Sequence, residues 1–274
     1  MTELGRRLGV AAVGIPLCVA AVWWGGLVFA SGLALLAGVA GWEYVRMFRR
    51  AGHRPFYVPA VVGAAAFPIL VYGAGIQIAW VLTPVYVMAV TAYGLRRLPP
   101  EEGPMTAAAL TVLGLFYIGG LLSFAVPFRT TLVEGRMAGT VLFFLPVAVT
   151  WVTDTAAYFG GKSFGRRPLA SRVSPNKTVA GAVSALAGGA AAGLLYGAWI
   201  LGHVGAALEP IPALLLGLFV AGAAVLGDLV ESAMKRECGV KDASTLLPGH
   251  GGLLDRMDSL LWAFPVAYGF LLFT

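Results

Sequence analysis

Long apolar runs alternate with short polar breaks along almost the whole chain. Residues 8–42, 55–95, 103–128, 137–153, 178–208, 210–227 and 259–274 contain no Asp, Glu, Lys or Arg. A membrane-spanning helix needs roughly 20 apolar residues, within a range of about 17–25. The first two runs are long enough for two helices each, with breaks at Trp24-Gly25-Gly26 and Gly73-Ala74-Gly75. The sixth run continues through Asp228 and Glu231 towards Lys235. The pattern predicts an all-α, polytopic membrane protein of about nine spans. They fall near 8–23, 28–48, 57–73, 76–95, 105–127, 138–159, 178–201, 211–236 and 258–273. We expect a single membrane domain over 1–274, with apolar N-terminal helices in 1–137 and catalytic helices and loops in 138–274. Gly181, Ala185, Gly189 and Gly193 recur every four residues, which predicts a helix packed closely against a neighbour.

Composition supports the class. Hydrophobic residues make up 59% and charged residues 12%, about half the charge of a soluble domain. The net charge of +6 reads as loop charge that sets topology and touches anionic lipid heads, not as a nucleic-acid surface. Cys18 and Cys238 are expected as free thiols. Arg6 and Arg7 precede an apolar run, but no small-residue cleavage site follows, so no cleavable signal peptide is expected. With nine spans, one side receives the N-terminus and the loops near 49–56, 96–104, 160–177 and 237–257. That side holds 17 of the 19 Lys and Arg residues; Arg129 and Arg136 lie on the other. Positive loops stay in the cytoplasm. The expected orientation is N-terminus inside and C-terminus outside.

Two polar cassettes interrupt the apolar text, and both are expected on the cytoplasmic face. The first, Trp151 to Thr178, carries Asp154 within the sixth predicted helix, with Tyr158 one turn on. Lys162, Arg166, Arg167, Arg172 and Lys177 follow among Gly, Ser and Pro residues. We read Lys162 and Lys177 as lying in turns. Such cations and backbone donors suit a polyphosphate. Gly160-Gly161-Lys162-Ser163 is not a P-loop: Ala156 stands where that motif needs Gly, and no strand precedes it.

The second cassette runs from Gly227 to Ser259. Asp228, Ser232 and Lys235 share one helix face beside Glu231. Asp255 and Asp258 stand three apart at the start of the ninth span. Their carboxylates match the oxygen ligation that Mg²⁺ prefers, whereas His250 and Cys238 are too few for zinc. Pro248-Gly249-His250-Gly251-Gly252 can bend tightly around a ligand. Intramembrane Asp154 and Asp228 are expensive unless they serve a function. The two cassettes together suggest metal-assisted phosphoryl or nucleotidyl transfer at the membrane surface. No G-x-S-x-G elbow is present for serine chemistry.

The stretch S-x-x-K-R-x-x-x-x-K-D-x-S-x-x-L-P-G-H-G-G-x-L-D-R-x-D-S, Ser232 to Ser259, resembles the signature of the phosphatidate cytidylyltransferases (CDP-diacylglycerol synthases). The patterns W-x-x-D-T-x-A-Y-x-x-G-K-x-F-G and S-P-x-K-T in the first cassette are similar to the same family. The resemblance covers 151–259. It implies conversion of CTP and phosphatidate to CDP-diacylglycerol and pyrophosphate for phospholipid biosynthesis in the inner (plasma) membrane. It also implies Mg²⁺, an accompanying K⁺ in a paired metal site, and a homodimer. By the resemblance, Asp228, Asp255 and Asp258 hold metal, and Asp154, Lys162, Ser174 and Lys177 line the nucleotide pocket. Lys235, Arg236, Lys241, Asp242 and His250 complete it. One departure is local: the family usually continues S-P-K-K-T-x-E-G, where this chain has Asn176 and Ala180.

The expected mechanism is an in-line attack of a phosphatidate oxygen on the α-phosphorus of CTP, with Lys177 and Lys162 stabilising charge on the triphosphate. Two readings compete. A CTP-dependent polyprenol or phytol kinase would give CDP and a phosphorylated alcohol. An ion-coupled transporter would place its acids near midplane on broken helices, often in inverted repeats; here they gather at helix ends.

Overall fold

The computed structural model describes residues 3–249 and 251–274. The chain is helical nearly throughout. The helices are α1 (Glu3–Trp24), α2 (Gly26–Arg50), α3 (Tyr57–Ala74), α4 (Ile76–Arg97), α5 (Pro104–Thr130), α6 (Arg136–Phe164), α7 (Val179–Val204), α8 (Pro210–Glu237) and α9 (Leu254–Leu271). Among the described residues, α2 to α8, seven helices, are long and apolar enough to cross a membrane. The other two helices, α1 and α9, are not among those seven; α9 opens on Asp255, Arg256 and Asp258.

The breaks follow local chemistry. Gly25 (φ 67°) and Gly75 (φ 85°) adopt left-handed backbone that other residues avoid, and they divide the two longest apolar runs. Pro84 interrupts α4 after Val81, because its ring removes a backbone donor. The polar stretch after α6 is not a plain loop. It forms a two-stranded antiparallel hairpin, β1 (Pro168–Ala170) and β2 (Ser174–Thr178), with Pro168 opposite Thr178 and Ala170 opposite Ser174. Helix α6 runs on to Phe164, so Lys162 lies on a helix and Lys177 on a strand, not in turns. The glycines at 160 and 161 do not end α6, because its neighbour α7 packs against that last turn.

Contacts divide the chain into two compact units. The first comprises the residues up to Val126 together with Glu237–Arg256. Its core centres on Tyr44, Met47, Phe48 and Ile118, all buried. The Tyr44 hydroxyl donates to the Leu110 carbonyl at 3.0 Å. Trp80 stacks on Phe116 with ring centroids 5.6 Å apart.

The second unit comprises Pro127–Arg236 and Met257–Thr274. Here the four-residue ladder of α7 packs as predicted: Gly181, Ala185, Gly189 and Gly193 are all buried. A Cβ on Gly193 would lie 2.4 Å from the Gly217 Cα of α8, and one on Gly188 2.6 Å from the Ala156 Cβ of α6. Small residues thus let three helices approach at backbone distance. Phe128, Phe143 and Phe264 cluster beside them, with centroids 5.2–5.6 Å apart. Thr178 caps α7, its hydroxyl accepting from the Gly181 amide at 3.1 Å.

Candidate active site

The second unit gathers charge at one end of α8. Gly227 has no room for a side chain: a Cβ there would sit 2.7 Å from both the Asp258 carbonyl and the Trp262 ring. This close approach brings α8 and α9 together at the level of Asp228 and Asp258. The Asp228 carboxylate accepts from the Ser232 hydroxyl at 3.4 Å and meets Lys177 Nζ, from β2, at 2.5 Å. Lys177 Nζ is buried and is held by this ion pair. Lys235 is ion-paired with the fully buried Glu231 one turn earlier. Asp258 Oδ1 accepts from the Ser259 amide at 2.6 Å. Electrostatically, Asp258 feels Asp228, Lys235 and Asp154.

Four carboxylates therefore share this neighbourhood with two lysines. The excess of negative charge calls for a cation. Among the described residues no three His, Cys, Asp or Glu side chains converge as a metal-holding group. Mg²⁺ can bind through one or two carboxylates, with waters and substrate phosphates filling its other positions. Asp228 and Asp258 provide such a pair.

The remaining predicted residues of this unit lie around the cluster. Lys162 is exposed on α6, over the Tyr158 ring at 5.8 Å. Ser174 opens β2. Arg236 is exposed at the end of α8, its Nε donating to the Val173 carbonyl at the hairpin tip, 3.3 Å away. Asn176 is exposed on β2, and Ala180 stands in the first turn of α7, which holds no acid.

The first unit holds the glycine-rich loop between α8 and α9. Leu247 and Gly251 pair across its tip, the Leu247 amide donating to the Gly251 carbonyl at 2.9 Å. Lys241 and Asp242 are exposed on its near arm. His250 lies outside the described residues. Asp255, in the first turn of α9, is anchored to this loop: its Oδ2 accepts from the Ala243 and Gly252 amides at 2.9 and 2.8 Å.

A second acid clamps the same loop. Glu43 of α2 is fully buried. Its Oε1 accepts from the Ser244 hydroxyl at 2.5 Å and the Leu253 amide at 2.9 Å, and its Oε2 from the Leu254 amide at 2.7 Å. A Cβ on Gly252 would come within 2.9 Å of both Glu43 oxygens, which explains the glycine there. Sequence reasoning overlooked Glu43. The available signal was a lone carboxylate at the end of the first charge-free run, costly unless partnered.

This is a multi-pass α-helical membrane protein with a carboxylate–lysine cluster and a clamped glycine-rich loop. Those parts define a membrane enzyme for phosphoryl or nucleotidyl transfer. The chain belongs to the cytidylyltransferase family, whose family model matches residues 5–274. It is 32% identical over 297 residues to a phosphatidate cytidylyltransferase of Synechocystis sp., covering 97% of this chain and 95% of that protein. Phosphatidate cytidylyltransferase 4, chloroplastic, of Arabidopsis thaliana is 34% identical over 299 residues, covering 98% and 74%. The phosphatidate cytidylyltransferase of Bacillus subtilis is 43% identical over 171 residues, covering 61% and 57%.

Proposed function

We propose that this protein transfers the cytidylyl group of CTP to phosphatidate, giving CDP-diacylglycerol and pyrophosphate. The observation that carries the reading is the Lys177–Asp228 ion pair set beside Lys235 and Asp258. A phosphatidate oxygen, already ionised at neutral pH, attacks the α-phosphorus of CTP. The bond to the β-phosphate oxygen breaks, and pyrophosphate leaves with that electron pair. No strong base is required, so rate comes from positioning and charge neutralisation. Lys177 offers its ammonium charge to the triphosphate, while Asp228 keeps it in place. Lys235, held by Glu231, presents a second cation. Asp228 and Asp258 would hold Mg²⁺, which when bound neutralises phosphate charge and aligns the reacting oxygens. Lys162, Ser174, Arg236, Lys241, Asp242 and His250 contribute to nucleotide binding. Asp154 lines the nucleotide pocket, and Asp255 would join Asp228 and Asp258 at the metal while its Oδ2 anchors the glycine-rich loop.

The finer membrane reading belongs to the same proposal. It comprises nine spans within one membrane domain, the cluster carried by 138–274, the N-terminus and active face in the cytoplasm of the inner membrane, a homodimer, and K⁺ as a second metal. Loop charge supports the orientation. The test is purified protein with CTP, phosphatidate and Mg²⁺. Pyrophosphate and a CDP-lipid are expected, with loss of both on chelation and in Asp258→Asn. In a parallel assay with a polyprenol or phytol in place of phosphatidate, CDP with a phosphorylated alcohol would replace the reading by a lipid kinase.

A further inference from the structure

A second charged feature lies in the first unit and takes no part in the proposed chemistry. A cavity of about 560 Å³ opens where α2 and α4 end and α3 begins. Arg49, His53, Arg54 and Arg97 line it together with Phe56 and Tyr93. Its floor is fixed. Phe56 is buried against Val90, Ala107 and Ala108, its amide donates to Thr111 Oγ1 at 2.8 Å, and its ring meets Tyr93 edge-on at 5.0 Å.

The cations differ in what neutralises them. Arg54 is ion-paired with Glu102. Arg49 donates to the Pro55 carbonyl at 3.3 Å and lies over the Tyr57 ring, and Arg97 lies over the Tyr93 ring at 5.3 Å. Among the described residues, neither Arg49 nor Arg97 has a carboxylate partner. Cations that only set topology need to be in the loop; they need not line a cavity with an aromatic floor. The volume is that of a small-ligand site. Guanidinium groups match phosphate geometry, and the position at the ends of two spans is the level of lipid headgroups.

We propose that this cavity is a binding site for a phosphate group, with Arg49 and Arg97 as its anion ligands, Tyr93 and Phe56 as its apolar wall, and Arg54 held aside by Glu102. The phosphate can come from an anionic phospholipid headgroup or from a free phosphate. Its lining residues are not those of the carboxylate–lysine cluster, and the site stands independently of the transfer reaction.

The test compares wild type with R49Q/R97Q and with R50Q/R96Q, which removes two exposed arginines that do not line the cavity. Each full-length protein, delipidated in detergent, is titrated with phosphatidylglycerol, phosphatidylcholine and inorganic phosphate, and retained ligand is measured by native mass spectrometry. Wild type and R50Q/R96Q should prefer phosphatidylglycerol over phosphatidylcholine. R49Q/R97Q should lose that preference, on the order of tenfold or more for each guanidinium whose charge-assisted hydrogen bond to the phosphate is removed. Transfer from CTP should be unchanged. Displacement of phosphatidylglycerol by inorganic phosphate in wild type would assign the site to free phosphate; its persistence assigns it to lipid. Equal binding by all three proteins, or equal loss in both variants, would overturn the site. Should the double variant fail to fold, R97Q alone decides the matter, since this guanidinium is exposed and lies over the Tyr93 ring. Unaltered selectivity in that variant would also overturn it.

Discussion

Replacing Glu43 by Gln keeps the shape of the side chain and changes its hydrogen-bonding capacity. The carboxylate accepts three hydrogen bonds, two at Oε1 and one at Oε2. An amide has one acceptor oxygen. Its better orientation keeps the oxygen toward Ser244 and Leu253 and turns an NH₂ group against the Leu254 amide, donor to donor. One hydrogen bond to a charged acceptor is lost, about 1.5–3 kcal/mol, and a buried N–H is left unsatisfied, about 1–3 kcal/mol more. The vanished charge at the start of α9 adds about 0.3–1 kcal/mol. The sum is about 3–7 kcal/mol on closure of the loop. At about 1.4 kcal/mol per factor of ten, the loop should open roughly 10²–10⁵ times more often. Hydrogen exchange reads this directly at the Leu253 and Leu254 amides, and cytidylyl transfer should fall alongside. Glu43→Asp keeps the charge at shorter reach and should fall between. Exchange in Glu43→Gln within threefold of wild type would refute the clamp, whatever the activity.

The remaining predictions address the second unit and the thiol. Lys177→Met leaves Asp228 without its cation. It should cut transfer by at least about 10² while the melting temperature moves little, because Asp228 is partly exposed and can rehydrate; activity within fivefold of wild type would remove Lys177 from the triphosphate site. Gly227→Ala places a methyl group 2.7 Å from the Asp258 carbonyl. It should cost about 1–3 kcal/mol in a detergent melt, with a fall in transfer as α8 and α9 separate; an unchanged melt would mean that the helices are not in backbone contact. Burial, with Glu237 beside it, pushes the Cys238 thiol up to about 11. The thiolate is therefore scarcer than in an ordinary cysteine at every pH below that value, and alkylation should be slow at pH 8 and climb about tenfold per pH unit above it. A plateau near pH 9 would show an unperturbed thiol.

Much of this protein was legible along one dimension. Apolar runs and their glycine breaks gave helix after helix within a few residues, because lipid solvation and backbone freedom act locally. The ladder from Gly181 to Gly193 announced close packing, and Asp154 and Asp228 marked the cluster by being costly where they stand. The hairpin over 168–178 was not legible, since Pro168, Pro175 and Asn176 are poor strand formers and the pairing depends on how the chain re-enters α7. Nor were the amides that hold Asp255: its Oδ2 accepts from Ala243 and Gly252, twelve and three residues away along the chain. Glu43 meets Leu253 and Leu254 across more than two hundred residues. A carboxylate's neighbours are set by packing in three dimensions. Sequence alone therefore determined which groups must be partnered, and the tertiary structure decided with whom.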